Sequence, residues 1–349
     1  MAAPGGQIQT MLRNDQPSRC MKSRCGFRMR NIHVSRTQWV CAMLLAVTSA
    51  CAAQHAVRLK GDPILTPASS PTIGDNLNGP SLIRVPGWVK NPLGRYYLYF
   101  AHHQGTFIRM AYANRLQGPW TVYAPGVLQM SAVTACHDHV ASPDVHVDTA
   151  QRRIRMYFHC PAGKSRRDIE EQKTFVAFSG DGIHFTAKEQ PLGPAYMSVF
   201  HWDGYFYAVA RKGVLLRSRD GITPFEQGPT LFSEDKNLIL RHAATDVQGN
   251  RLSVYYSRIG DNPESILVSH IALTPDWKSW KASPPMVVLA PGTVAEGVNL
   301  PSTPSRRDDA PGRVRQLRDP GIFHEDGKTY LLYSIAGESG ISIAELTNP

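Results

Sequence analysis

Acid and base chemistry on a polar substrate calls for carboxylates, imidazoles and guanidinium groups that a fold can bring together. Along this 349-residue chain such groups recur beside prolines and turns. Asp144 follows Ser142-Pro143, Asp319 lies within Arg318-Asp319-Pro320, and Glu296 and Glu338 occupy the loop phrases AEGVNLP and AGESG. Imidazoles stand at His102, His103, His159 and His242, with guanidinium groups at Arg211, Arg258 and Arg318. Carboxylates in unlike environments can divide the roles of acid and base, and a His or Tyr196 beside an Arg suits proton abstraction next to a carboxylate. The His-rich set leaves room for zinc or another divalent ion, but no HExxH or similar spacing fixes one, and none of this chemistry requires a cofactor.

The elements that must position these groups are read from the C-terminal stretch, where DPGIFHE, TYLLYSIAG and ISIAEL alternate apolar and polar residues between Asp-Gly and Gly-Glu-Ser-Gly turns. That is a three-stranded antiparallel meander. Four relatives precede it, beginning at PSLIRV, PDVHVD, YMSVFHW and HAATDV, and the third strand of each leads to an aromatic anchor, Trp120, Phe185, Phe225 or Trp280. Repeated four-stranded sheets indicate an all-β, five-bladed β-propeller. The last copy lacks a fourth strand, and Ala56 to Pro67 reads as a strand with no sheet of its own, so the ring is expected to be closed by the N-terminal strand.

In such a ring the starts of first strands and the ends of second strands meet at one mouth of the central channel. The starts carry Asn78, Asp144, Tyr196, His242 and Asp319, and the ends carry His102, His103, His159, Arg211, Arg258 and Glu338. Ionised groups gathered near a buried channel are costly unless paired or solvated, which packing alone would not select.

Residues 1–52 read as a leader. Arg28, Arg30 and Arg36 precede an apolar run from Trp39 to Val47 and then TSACAA, the layout of a secretory signal with cleavage after Ala52 and a start at Met29. Cys51 half resembles a lipoprotein anchor. Residues 53–349 then form one propeller domain that is extracytoplasmic, with no membrane span once the signal is removed. The remaining 31 basic and 27 acidic residues give +4 in place of +10, and with no basic reading motif this argues against nucleic acid as a partner. Arg306-Arg307, answered by Asp308-Asp309, reads as a solvated loop. The cut leaves Cys136 and Cys160, either a disulfide or two buried thiols.

The Arg318-Asp319-Pro320 and Ser142-to-Val145 motifs, with GRYYLYFAHH followed by LQGPW, resemble the five-bladed propeller glycoside hydrolases, the arabinanase, xylosidase and invertase superfamily. The resemblance implies a secreted glycoside hydrolase acting on a glycan or oligosaccharide partner through carboxylates at the mouth. From their places in the repeat, Asp319 is expected as base or nucleophile, Asp144 as modulator and Glu296 as general acid, with Glu338 in reserve. His102, His103, His159, Arg211, His242, Arg258, Arg318 and Glu338 would bind substrate. One departure stands out: where the superfamily places an Asp at the start of the first blade, this chain has Asn78-Gly79-Pro80, and an amide is neither base nor nucleophile. A non-catalytic sugar-binding propeller and a polysaccharide lyase using His or Tyr are the competing readings.

Overall fold

The structure is a computed structural model and describes residues 54–163, 171–232 and 239–347. The leader and signal expectation, with Cys51, lies outside these residues. Strand β1 (His55–Arg58) precedes blade one, formed by β2 (Asn78–Arg84), β3 (Tyr96–Ala101), β4 (Phe107–Ala113) and β5 (Thr121–Gln129). Blade two holds β6 (Ala141–Asp148), β7 (Arg153–Pro161) and β8 (Gln172–Ser179), edged by the short β9 (Thr186–Ala187) and β10 (Gly193–Pro194). Blade three comprises β11 (Ser198–Trp202), β12 (Tyr205–Ala210), β13 (Val214–Ser218) and β14 (Glu226–Thr230). Blade four comprises β15 (Leu240–Gln248), β16 (Arg251–Arg258), β17 (Ile266–Ala272) and β18 (Met286–Leu289). Blade five is β19 (Arg318–Glu325), β20 (Lys328–Ser334) and β21 (Ile341–Thr347), completed by β1 as its outermost strand. Neighbouring strands within each sheet pair antiparallel, and no helix among the described residues is long and apolar enough to cross a membrane.

Each blade is apolar on both faces because it is covered by a blade on either side. Five buried clusters result, one for each blade-to-blade interface, such as Tyr97, Tyr99, Phe158 and Phe175 between blades one and two. Repetition of sequence also repeats a polar pin. The Ser-x-Asp-Gly turns at Ser179 and Ser218 present the carbonyls of Gly182 and Gly221, which accept the hydroxyls of Tyr99 and Tyr157 from the preceding blade at 2.8 and 2.9 Å. Both glycines have positive φ, and a Cβ on either would stand 2.8 Å from the tyrosine oxygen, so the pin requires glycine.

Ring closure has its own lock. β1 pairs with β21 from His55 opposite Thr347 to Arg58 opposite Ala344, as the missing fourth strand predicts. Arg58 then makes a bidentate contact with Glu296, both bonds 2.7 Å, and donates to the Ala290 carbonyl at 2.8 Å. Glu296 is fully buried and also accepts from the Tyr333 hydroxyl and from the backbone N–H groups of Gly292 and Thr293. Burial favours its neutral form, but these donors outweigh burial and hold its pKa below the usual carboxylate range. Glu296 therefore belongs to the latch rather than to the mouth, which corrects its expected place.

Cys136 and Cys160 form a disulfide with Cα atoms 5.5 Å apart, closing a separation of 24 residues. It ties the link between blades one and two to the end of β7.

Two stability tests follow from these contacts. Arg58→Ala leaves Glu296 buried without its cation and should cost about 3 kcal/mol in urea unfolding. A loss below about 0.5 kcal/mol, the scale of a neutral surface change, would show that strand pairing alone closes the ring. Replacing both cysteines by Ala should cost about 3 kcal/mol on the loop-entropy scale, and wild-type protein should melt lower in reductant. Identical melting with and without reductant would refute a stabilising bridge.

Candidate active site at the channel mouth

The innermost strands do not simply run into the mouth. Each of β2, β6, β15 and β19 slips register against its neighbour near its start, between Asn78 and Ser81, Ala141 and Asp144, Leu240 and Ala243, and Arg318 and Gly321. A bulge of this kind bends the strand and re-aims a side chain. Gly79, Ser142 and Asp319 at three of these bulges have φ of 56°, 50° and 49°, and Tyr196 just ahead of β11 has 62°. Left-handed backbone at a non-glycine residue costs on the order of 1 to 3 kcal/mol, and such strain gathers where a side chain must be presented.

What the bulges surround is a cavity of about 90 Å³ at the mouth, lined from all five blades. Asn78, Ser142, His159, Tyr196, Arg241, Asp319 and Glu338 are among its walls, with His103, His139, Gln172 and Arg211. A second cavity of about 180 Å³ lies deeper among the innermost strands, lined by Asp144, His146, His242 and His324.

Below the mouth runs a chain of alternating charges. Arg241 donates to Glu264 at 2.7 and 3.2 Å, Arg318 Nε lies 3.2 Å from the same carboxylate, and Arg318 Nη1 donates to Glu338 at 3.1 Å. Glu338 continues it to His103 Nδ1 at 3.6 Å and accepts from the Asn76 amide. Burial pushes the Glu338 pKa up, but His103, Arg318 and Asn76 more than reverse this and hold it well below the usual range. Burial likewise lowers the pKa of His103, yet the Glu338 contact prevails and the net shift is upward. Both shifts favour the charged forms of the pair, carboxylate and imidazolium.

Asp319 differs. Its Oδ1 lies 3.5 Å from His242 Nδ1, while Oδ2 is buried with no hydrogen-bond partner. Two more orphaned atoms line the same cavity, Gln172 Oε1 and His159 Nδ1. Burial, then the neighbouring imidazoles, push the His159 pKa far down, so that ring is neutral. Its ring lies 4.1 Å from that of Tyr196, whose pKa is pushed up to about 12 by burial and then by Asp319 and Glu338. Tyr196 is therefore a phenol, a proton donor.

Of the residues expected at the mouth, Asn78, His103, His159, Tyr196, Arg211, Asp319 and Glu338 line it. Others stand elsewhere. Asp144 lies two residues beyond the Ser142 bulge, where its Oδ2 accepts from the Val199 N–H of blade three at 2.7 Å and from His146 at 2.9 Å, making it an inter-blade pin of the deeper cavity. His102 pairs with exposed Asp75 at 3.0 Å and Arg258 with Asp261 at 2.9 Å, both outside the mouth lining. Arg318 lies beneath the cavity, and His242 lines the deeper one while touching Asp319. Glu296 sits in the latch. At blade one, Asn78 does line the mouth, its amide donating to Asn76 Oδ1 at 2.9 Å, so no carboxylate comes from that start.

Sequence reading missed Gln172, His139 and Ser142, and took Arg307-Asp308 for solvated loop although both line the cavity. Ser142 carried a signal in Ser142-Pro143, which matches Asp319-Pro320 and Gly79-Pro80. The others carried none. Among the described residues no group of three or more His, Cys, Asp or Glu is arranged to hold a metal ion.

No family model matches the chain. Among solved structures it is similar to a GH43 β-xylosidase/α-arabinofuranosidase from a compost microbial metagenome, with 14% identity, a TM-score of 0.55, and coverage of 84% of this chain and 96% of that one. A glycosyl hydrolase from Bacteroides ovatus gives 12% and 0.56, over 85% and 94% of the two chains. A structure from the GH130 family, described as containing glycoside hydrolases that target β-1,2 mannosidic linkages in Candida mannan, gives 13% and 0.56, over 87% and 96%. At these identities the likeness is one of fold, the five-bladed propeller of glycoside hydrolases. An uncharacterized protein of Acanthamoeba polyphaga mimivirus is 38% identical over 300 residues, spanning 78% of this chain and 83% of that protein. The chain belongs to the same family as this mimivirus protein.

Proposed function

We propose that the protein is a glycan-acting glycoside hydrolase whose chemistry is centred on Asp319. The observation that carries this reading is the orphaned Oδ2 of Asp319, buried on a left-handed backbone in a residue that lines the mouth cavity, as does Gln172 with its orphaned Oε1. Two unsatisfied acceptors in one small cavity ask for donors, and sugar hydroxyls and an attacking water are donors of the right size. The propeller shared with glycoside hydrolases supports the same reaction class.

Asp319 acts at the anomeric carbon, either directly or by taking the proton of a water as it attacks. Glu338 is unsuited to the acid role because Arg318, Asn76 and His103 keep it ionised. The proton for the departing oxygen comes from His103, which Glu338 holds protonated at Nδ1, leaving Nε2 for the leaving group. His242 keeps Asp319 oriented. This reading moves the acid from Glu296 to His103. The Cys136–Cys160 bridge supports delivery to an oxidising, extracytoplasmic compartment.

A second reading rests on His159, a neutral imidazole with an orphaned Nδ1 against the Tyr196 phenol. That pair suits elimination beside a uronate, His159 taking the proton and Tyr196 protonating the leaving oxygen.

A screen of aryl glycosides and plant, fungal and marine polysaccharides, followed at the reducing end and by ultraviolet absorbance of a new double bond, separates the two. On any substrate found, Asp319→Asn should lower kcat by about 10² to 10⁴-fold with the fold intact. Full activity in that variant, or unsaturated products, would remove the hydrolase assignment. His103 is protonated below its raised pKa, so activity should hold through the ordinary His range near 6.5 and fall as pH rises above it. His103→Asn should abolish that alkaline limb and impair natural linkages more than aryl glycosides with good leaving groups. An unaltered pH profile would exclude His103 as the acid.

A further inference from the structure

The longest link between successive blades, residues 290–317 between β18 and β19, is largely exposed but anchored. It returns to the mouth, and its backbone is gripped there by groups whose own charges are satisfied from below. Arg241, paired with Glu264, donates to the carbonyls of Arg306, of Arg307 at 2.8 Å and of Asp308 at 3.4 Å. Arg318, paired with Glu338, donates to the Asp308 carbonyl at 3.3 Å. On the blade-four side the Gly260 N–H donates to Ser305 Oγ and the Ser305 N–H to the Asp261 carbonyl, both at 3.0 Å. Every one of these anchors holds main chain or Ser305. The side chains of Arg307 and Asp308 stay exposed on the wall of the mouth cavity.

A polysaccharide bound through its interior needs a cleft open at both ends. Here a cavity of about 90 Å³ is ringed by all five blades and by this link, far below the roughly 300 to 1,000 Å³ of a pocket for a drug-sized ligand. So small a space leaves no room for several residues of a chain interior and admits at most an end ring seated at the mouth. Resting on the glycan reading above, we propose that the 290–317 link is a fixed wall limiting the mouth to the terminal ring of a chain, with Arg307 and Asp308 contacting the ring next to it. The protein is then chain-end-acting.

The test uses reducing-end-labelled tetrasaccharides of xylose, arabinose and mannose. Wild-type protein should shorten its substrate one residue at a time, with trimer before dimer, and early internal cuts to dimers would overturn the proposal while leaving the hydrolase reading in place. Binding is read separately with Asp319→Asn by saturation-transfer NMR on the same compounds. Signal confined to the terminal and adjacent rings supports the wall even if nothing is cleaved, in which case the hydrolase reading alone fails. Signal spread along the interior, or no binding by any compound, overturns it. For a substrate so found, the double variant Arg307→Ala and Asp308→Ala should raise KM for the tetrasaccharide, relative to the aryl monosaccharide, about tenfold. An unchanged ratio would remove these two residues from substrate contact.

Discussion

The mouth of this propeller depends on a buried chain of alternating charges, Arg241, Glu264, Arg318 and Glu338, that crosses from blade four to blade five. Burying ions is expensive, and a pair repays its desolvation only when the remaining hydrogen-bonding capacity is used. Here it is used. Glu264 also accepts the Ser257 hydroxyl, Arg318 donates to Gln316, and Arg241 turns its outer N–H groups to loop carbonyls. One chain of contacts therefore holds Glu338 ionised, favours a protonated His103 and sets the course of the 290–317 link.

The same chain explains why the carboxylates near the mouth are not interchangeable. Glu338 is saturated with positive neighbours and is held ionised, a poor proton donor at any ordinary pH. Asp319 has one oxygen near His242 and the other unpartnered. Its availability comes from the bulge, since Asp319 lies between paired residues Arg318 and Gly321 on a left-handed backbone.

Comparison across the blades makes the point sharper. Asp144 and Asp319 both stand beside a proline near the start of an innermost strand, yet one follows the proline and the other precedes it. That offset carries Asp144 past the bulge into the channel, where it joins blade two to blade three through the Val199 N–H. Equivalent places in the repeat are thus divided between holding blades together and facing a ligand. Further inter-blade contacts on the innermost strands, Ser81 with Val145, Ser198 with Thr245 and Asp246 with His324, do the same work.

The sequence by itself determined the repeat, the five blades, the closure by the N-terminal strand and the general level at which polar groups gather. These follow from period-two alternation, turn residues and the order of elements, which are local properties of the chain. Asn78, His103, His159, Tyr196, Arg211, Asp319 and Glu338 were legible as mouth residues on that ground. Only the tertiary structure decided which carboxylate is free, because that depends on partners remote in sequence: Glu296 meets Arg58 across 238 positions, and Arg241 meets Arg307 across 66. Bulges decided the rest. A single extra residue in a strand moves a side chain from the mouth to the channel, and no alternation of apolar and polar residues records which of two neighbours will occupy it.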